Sequence, residues 1–300
     1  MECPWCGSKS YKRVLENIPD IRHRNEGLFN YSMCRECGLI FLEEREGVIK
    51  NLKKFYSSPY FRYDPYESRD TRFFRIYYRI IRERFIPITE GKVLDVGCGE
   101  GTFLAGLKDK GFDCYGVEMD RKVAEETSMK YGIKVYQGLF EEVEIEDGPF
   151  DLITMWWFLE HVTDLKRCMR KAEESLREGG YIIGEVPNFQ SLERKVFKRY
   201  FYLWDTPRHL YLFTPSSIRE ILKTSGFREV KIYHRFLDPG FFFESFIEFL
   251  EDNLFRRPRV GMRHLKRLIP IGLIPAFVAA ITNQGSSIIF VGKKGSGLHS

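Results

Sequence analysis

Long apolar runs are what this 300-residue chain most plainly lacks. The most apolar stretch, Leu268 to Ile281, is interrupted by Pro270 and Pro275 and falls short of the ~20 residues that a spanning helix needs. Met1-Glu2-Cys3 does not begin a secretory signal, so a cytoplasmic protein is expected. A basic N-terminus is missing too: residues 1 to 47 carry 7 basic and 8 acidic side chains, without the positive footprint of a nucleic-acid reader. Positive charge gathers in residues 48 to 92, with 11 basic against 5 acidic, and in residues 190 to 300, with 18 against 9.

A further absence is one glycine. The stretch "VLDVGCGEGTFL", residues 93 to 104, has Gly97, Gly99 and Gly101, but Thr102 stands where a G-x-G-x-x-G dinucleotide fingerprint needs its third glycine. Val93 to Val96 form a short buried strand, and Phe103, Leu104 and Leu107 recur at helical spacing, which puts the glycines in a strand-to-helix bend. Such a bend exposes backbone amides at a helix N-terminus to a ligand. Asp95, two residues before the first glycine, offers a carboxylate to a cation, so a cationic ligand is favoured over a pyrophosphate. Downstream, "DCYGVEMD" supplies a second strand ending at Glu118, in the position of an acid that accepts from the two hydroxyls of an adenosine ribose.

These residues resemble the class I S-adenosylmethionine-dependent methyltransferases: Asp95, Gly97, Gly99 and Gly101 match the D-x-G-x-G-x-G loop and Glu118 the ribose-binding acid. The resemblance implies S-adenosylmethionine as cofactor, with Cys98, Met119, Met155 and Trp156 also in contact with it. It covers about residues 72 to 294, a usual span for one domain. The strand-helix alternation agrees. "IKVYQG", "FDLITMWW", "GGYIIGEVP", "REVKIYHRF" and "SSIIFVGKK" continue as strands three to seven, predicting a doubly wound α/β fold on a mostly parallel seven-stranded sheet.

Two C-x-x-C knuckles, Cys3/Cys6 and Cys34/Cys37, are each followed by a glycine and predict a small N-terminal ribbon around one tetrahedral zinc. Four thiolates fill the coordination sphere, so that zinc would organise the fold and leave the chemistry to other groups. The remaining Cys98, Cys114 and Cys168 suit core positions.

Two histidines compete for the role of general base. His161, in "MWWFLEHVTD", follows Glu160 and resembles the L-E-H stretch of small-molecule methyltransferases, among them the ubiquinone-pathway O-methyltransferases. Some of those enzymes hold a metal with E-x-x-E-H, but Trp157 occupies the first position here, so that ligand is missing. His161 is read either as a proton acceptor or as a cap of the following helix. His209, in "WDTPRHLYLFTPSSI", lies in a segment resembling the acceptor-side loop of the same enzymes, and is the first choice for base or else a residue pinning that loop. Trp204, Arg208 and Tyr211 are expected to line the acceptor pocket.

Domain organisation follows: a ribbon over 1–47, an aromatic and basic linker with a helix from Arg72 to Arg84 over 48–91, the methyltransferase domain over 92–294, and a flexible tail over 295–300. A helical insertion over 237–284 separates the last two strands. Its basic run and apolar stretch, 256–281, read as a peripheral contact with the inner membrane surface, as a cap over the site, or as a dimer contact. The layout resembles bacterial zinc-ribbon methyltransferases of sugar or envelope-polysaccharide biosynthesis, implying a small or lipid-linked acceptor. The alternatives are methylation of ribosomal or transfer RNA, with the ribbon and basic linker holding the substrate, and a regulator that binds the cofactor without catalysis.

Overall fold

The computed structural model describes residues 1–20, 26–56, 79–235, 239–250, 253 and 272–295. It divides into two compact units: Asn51–Gly184 with Ile221–Lys231 and Phe290–Ser300, and Met1–Lys50 with Glu185–Glu220 and Ile232–Ile289. Of the helix expected over 72–84, residues 79–83 are helical and those before 79 lie outside the described residues. The basic run 256–267 and the tail from 296 onward also lie outside them.

The first unit is built on the expected seven-stranded sheet. Its strands are β4 (Lys92–Val96), β5 (Asp113–Glu118), β6 (Lys134–Gln137), β7 (Phe150–Trp156), β8 (Leu176–Pro187), β10 (Phe227–His234) and β11 (Ser287–Lys294), in the spatial order β10-β11-β8-β7-β4-β5-β6. Pairing is parallel where β4 meets β5 and β7 and where β5 meets β6. The central strands read as continuous apolar runs because both faces are covered: Val93, Leu94, Val96, Leu152 and Ile153 are fully buried. Successive strands run outward from β4 on one side and then restart at β7 on the other. Such a reversal, here above the carboxyl ends of β4 and β7, is where open α/β sheets bind ligands.

The helices start and stop where their caps dictate. α3 (Thr102–Lys108) follows the glycine bend. α4 (Arg121–Tyr131) opens on Asp120, which accepts from the Val123 amide at 3.0 Å, and closes on Gly132 at φ 60°. α5 (Leu165–Ser175) opens on Asp164 and buries Leu165, Cys168, Met169 and Ala172 at i, i+3, i+4 and i+7.

In the other unit, β1 (Tyr11–Pro19) and β2 (Leu28–Cys34) form an antiparallel hairpin, and β2 pairs with β3 (Ile40–Leu42). This sheet does not end with the N-terminal segment. β9 (Tyr211–Leu212) adds to β3, pairing Ile40 with Leu212 and Phe41 with Tyr211. The reason is burial: Leu39, Ile40, Phe41 and Leu42 are all under 2% exposed, which three short strands cannot achieve alone, and β9 covers the bare edge of β3. The expected boundary at residue 47 is therefore no boundary between compact units, since residues 1–50 cluster with 185–220 and 232–289. The expected insertion is present as α8 (Pro239–Leu250) and α9 (Leu273–Ile281), which pack on one another, and α8 also packs on α6 (Leu192–Phe197).

A buried ion-pair cluster locks the same sheet to the chain before β9. The Arg208 guanidinium donates to both oxygens of Asp20, at 2.9 and 3.0 Å, and to Asp205 Oδ1, at 2.8 and 3.0 Å, with its side chain wholly buried. Removing one partner from such a cluster leaves charge buried and unmatched. Arg208→Ala should accordingly lower unfolding stability by about 3–5 kcal/mol in urea titration, whereas Arg121→Ala, which breaks an exposed i,i+4 pair, should leave the midpoint unchanged.

Candidate active site

The bend after β4 has the conformation its glycines anticipate. Gly97, Gly99 and Gly101 take φ of 73°, 52° and 68°, the left-handed region that side chains rarely tolerate. At Gly101 space is also limiting, since a Cβ would stand 2.4 Å from Thr127 Cγ2. Gly99 is different: nothing lies within 4 Å of where its Cβ would be, so the loop has an open face there.

Glu118, at the end of β5, ties two loops together. Its carboxylate accepts from the Gly99 amide at 3.0 Å and from the Asp120 amide at 2.9 Å while 8% exposed. Each carboxylate oxygen carries two lone pairs, so both can also accept from hydroxyls of a ligand. Burial raises the Glu118 pKa and these amides oppose the rise.

Asp95 lies one strand across, opposite Gly116 on one side and Thr154 on the other. Thr154 Oγ1 donates to its Oδ1 at 2.6 Å. Burial pushes its pKa up to about 7; the Thr154 hydroxyl and the Arg82 guanidinium pull it down, and Glu118 pushes it further up. A carboxylate so placed is stabilised as an anion by an incoming cation. Trp156, at the carboxyl end of β7, is 6% exposed, packs edge-on against Phe103 with ring centres 5.5 Å apart, and has Arg82 5.0 Å over its ring. Its Nε1 donor meets no acceptor among the described residues. Met155 beside it is fully buried, and Cys98 Sγ lies 2.7 Å from where a Cβ on Gly116 would stand, so both act as walls of the core. The Met119 carbonyl accepts from Gln137 Nε2 at 3.1 Å.

At the end of β7, Trp157 takes φ 56°, an uncommon conformation for a bulky residue. His161 Nδ1 lies 3.0 Å from Tyr56 Oη, a partner that lies beyond α2 (Leu52–Phe55). Capping of α5 belongs to Asp164, which accepts from Arg167 N at 3.0 Å, so the helix-cap reading of His161 is replaced by the tyrosine contact.

In the other unit, His209 is 5% exposed. Its Nδ1 is 3.0 Å from the Leu203 carbonyl, which can only accept, so Nδ1 carries the proton and Nε2 is the basic nitrogen. Tyr31 Oη donates to the His209 carbonyl at 2.9 Å. The three residues expected to line a pocket are instead engaged within the fold. Arg208 is the ion-pair centre, Trp204 is 4% exposed and donates from Nε1 to the Lys198 carbonyl at 2.7 Å, and Tyr211 is a 1% exposed residue of β9. Arg208 and Trp204 spend their polar groups within the protein, and Tyr211 is buried in a strand.

The family described as a methyltransferase domain matches residues 68–232, more than half of the chain. The chain belongs to the methyltransferase-domain family. It is 31% identical over 102 residues to a ubiquinone biosynthesis O-methyltransferase of Ralstonia nicotianae, a match covering 32% of this chain and 43% of that protein. A protein of the same description from Idiomarina loihiensis is 34% identical over 111 residues, covering 35% and 44%. The match thus spans less than half the length of these curated relatives. Among solved structures, a SAM-dependent methyltransferase from Archaeoglobus fulgidus superposes with a TM-score of 0.51 at 21% identity, covering 82% of this chain and 99% of that one. A putative sarcosine dimethylglycine methyltransferase from Galdieria sulphuraria gives 0.51 at 15%, covering 80% and 91%. At such identities the likeness is one of fold.

The chain also gathers its four N-terminal cysteines. The sulfurs of Cys3, Cys6, Cys34 and Cys37 all lie within 4.8 Å of one another, with Cys3 3.6 Å from Cys37 and Cys6 3.5 Å from Cys34. Those separations exceed the disulfide length of about 2.05 Å and approach the ~3.8 Å between sulfurs that Zn–S bonds of about 2.3 Å give in a tetrahedron. Gly7 and Gly38, at φ 77° and 72°, turn their amides back onto the Cys3 and Cys34 carbonyls. Sequence reasoning missed Arg82, Tyr56 and Thr154 as neighbours of the site. Thr154 alone had a signal, as the residue opposite Asp95 in a parallel register.

Proposed function

We propose that this methyltransferase moves a methyl group from S-adenosylmethionine to a hydroxyl of a small or lipid-linked acceptor, a sugar or related metabolite, with His209 as general base. The observation that carries the reading is the pairing of Asp95, a buried carboxylate whose anion a cation would stabilise, with Glu118, an acceptor beside the open face of Gly99. The buried Trp156 Nε1 donor adds a polar group that awaits a ligand. S-adenosylmethionine fits this set because it carries ammonium and sulfonium charges and a ribose diol. When bound, it supplies a methyl group on an excellent leaving group. The protein's part is then alignment, exclusion of water and removal of one proton.

Glu118 would hold the ribose hydroxyls and Asp95 the cationic end of the cofactor. Cys98, Met119 and Trp156 would wall the site, with the fully buried Met155 behind them. His209 would take the acceptor's hydroxyl proton at Nε2, the Leu203 carbonyl keeping the imidazole in the basic tautomer. The relatives from Ralstonia nicotianae and Idiomarina loihiensis are O-methyltransferases, which supports a hydroxyl acceptor. The RNA alternative leans on the basic linker, but the N-terminal ribbon, with 7 basic against 8 acidic side chains, lacks the positive footprint of a nucleic-acid reader, and the small-acceptor reading is carried forward. We further infer that Cys3, Cys6, Cys34 and Cys37 hold one structural zinc, and that a chain whose seven cysteines form no disulfide belongs in a reducing compartment such as the cytoplasm.

If ionised Asp95 is the form that binds, protonation competes with the cofactor. Below the pKa of about 7 the ionised fraction falls about tenfold per pH unit, so affinity for S-adenosylhomocysteine, whose ammonium is retained, should rise with pH up to about 7 and level off above it. Calorimetric titration across pH 5.5 to 8.5, at about constant ionic strength, measures this; Asp95→Asn should bind more weakly and lose the slope.

His209→Asn should lower turnover about 100-fold to 10,000-fold with cofactor affinity near normal, read from single-turnover assays with labelled cofactor. His161→Asn is the control. A dominant effect there would move the base to the β7 loop. The acceptor itself is sought by incubating cell extracts with labelled cofactor and asking whether label enters lipid, soluble sugar or RNA.

For the metal, elemental analysis of freshly reduced protein should find about one zinc per chain. Cys34→Ser should lose it and expose the amides of β2 and β3 to hydrogen exchange while leaving those of β4 protected. Protein free of metal with unchanged exchange would contradict the assignment.

A further inference from the structure

Helix α9, Leu273–Ile281, contains no polar side chain in the sequence LIPAFVAAI. One side of it is buried, with Ala276 and Ala279 each 8% exposed. The other side is not: Leu273, Ile274, Phe277, Val278 and Ile281 are 45%, 76%, 50%, 40% and 61% exposed. Positions i, i+1, i+4, i+5 and i+8 fall on one face of a helix, so these five form a continuous apolar stripe toward solvent, where a surface helix ordinarily places charge. Helix α8, packed against α9, leaves Phe246 and Phe249 about two-fifths exposed as well. Single exposed hydrophobic residues are ordinary, but a stripe of this kind marks a contact surface.

The sequence leading into α9 indicates the partner. From Arg256 to Arg267 it reads RRPRVGMRHLKR, with five arginines, one lysine and no acid, and no Asp or Glu occurs anywhere after Asp252. An apolar stripe preceded closely by six cations is the pairing that a membrane interface selects, the stripe meeting acyl chains and the cations meeting anionic headgroups. A second copy of the chain would match the stripe but would bring like charges together. A helix of nine residues is about 13 Å long, too short to cross the hydrocarbon layer, and no helix of the described residues is long and apolar enough to do so. We propose that the exposed stripe of α9 docks this protein on an anionic lipid surface. The proposal stands apart from the methyl-transfer reading, because docking is measured without turnover.

The test is co-sedimentation of the full chain with phosphatidylcholine vesicles that contain or lack about 30% phosphatidylglycerol, at about 0.1 and 0.5 M salt. The expected result is binding to the anionic vesicles, weakened at least about tenfold on neutral vesicles and at the higher salt. The double variant Ile274→Asp/Phe277→Asp should lose binding at least about tenfold, with an unchanged circular dichroism spectrum. The triple variant Arg256→Gln/Arg257→Gln/Arg259→Gln leaves the helix untouched and should weaken binding to anionic vesicles only, which decides the matter if the aspartate variant fails to fold. The proposal is overturned if the parent does not sediment with anionic vesicles, if it binds neutral vesicles equally well, or if the arginine variant binds like the parent. It is also overturned if light scattering shows a dimer that Phe277→Asp disperses while no vesicle binding is seen, for then a second copy covers the stripe.

Discussion

The Glu118 carboxylate is the constraint on which the loop end of the seven-stranded sheet depends. It accepts from Gly99 in the loop after β4 and from Asp120 at the start of α4, so the ends of two adjacent parallel strands are held by one side chain. That bridge sets the path of the glycine loop, and the loop in turn exposes the face at Gly99 where a ligand has room. Asp95 and Trp156 follow from the same register, because β4 and β7 run in parallel and end together at the reversal of strand order. Burial then gives each group its chemistry. Asp95 becomes a weak acid that favours a cation, and Trp156 retains an indole donor without an acceptor among the described residues.

A different constraint governs the segment bearing His209. The N-terminal strands are too few to bury Leu39 to Leu42, and they complete their sheet with Tyr211 and Leu212. Arg208 closes the same arrangement from inside through Asp20 and Asp205, and Tyr31 holds the His209 carbonyl. Cys34 ends β2, which pairs with β3, and β9 pairs with the other edge of β3, so the cysteine cluster and the chain after His209 belong to one sheet.

What could be read from the sequence was local. The glycine loop, Glu118 21 positions after Gly97, the strand-helix alternation and the paired knuckles are short-range patterns, and each reappears in the structure as the corresponding element. What escaped was long-range. Asp20 and Arg208 are 188 residues apart, and nothing near either one announces an ion pair. Tyr211–Leu212 is a two-residue strand with no period to detect, so the resemblance of this segment to an acceptor-side loop places Tyr211, with Trp204 and Arg208, in a pocket. The run Leu39 to Leu42 did carry a hint. Four consecutive apolar residues in a small ribbon are buried on both faces only if something else in the chain covers them.

The central claim is that the site bounded by Asp95, the glycine loop and Glu118 binds an adenosylated sulfur cofactor. Titration of the unmutated protein with S-adenosylhomocysteine, followed by heat and paired with Glu118→Ala, tests it most directly. The account predicts one site per chain, weakened in the variant by about 10-fold to 150-fold through loss of charge-assisted hydrogen bonds to the ribose. Absence of binding to folded, unmutated protein, or equal affinity in the variant, would contradict it.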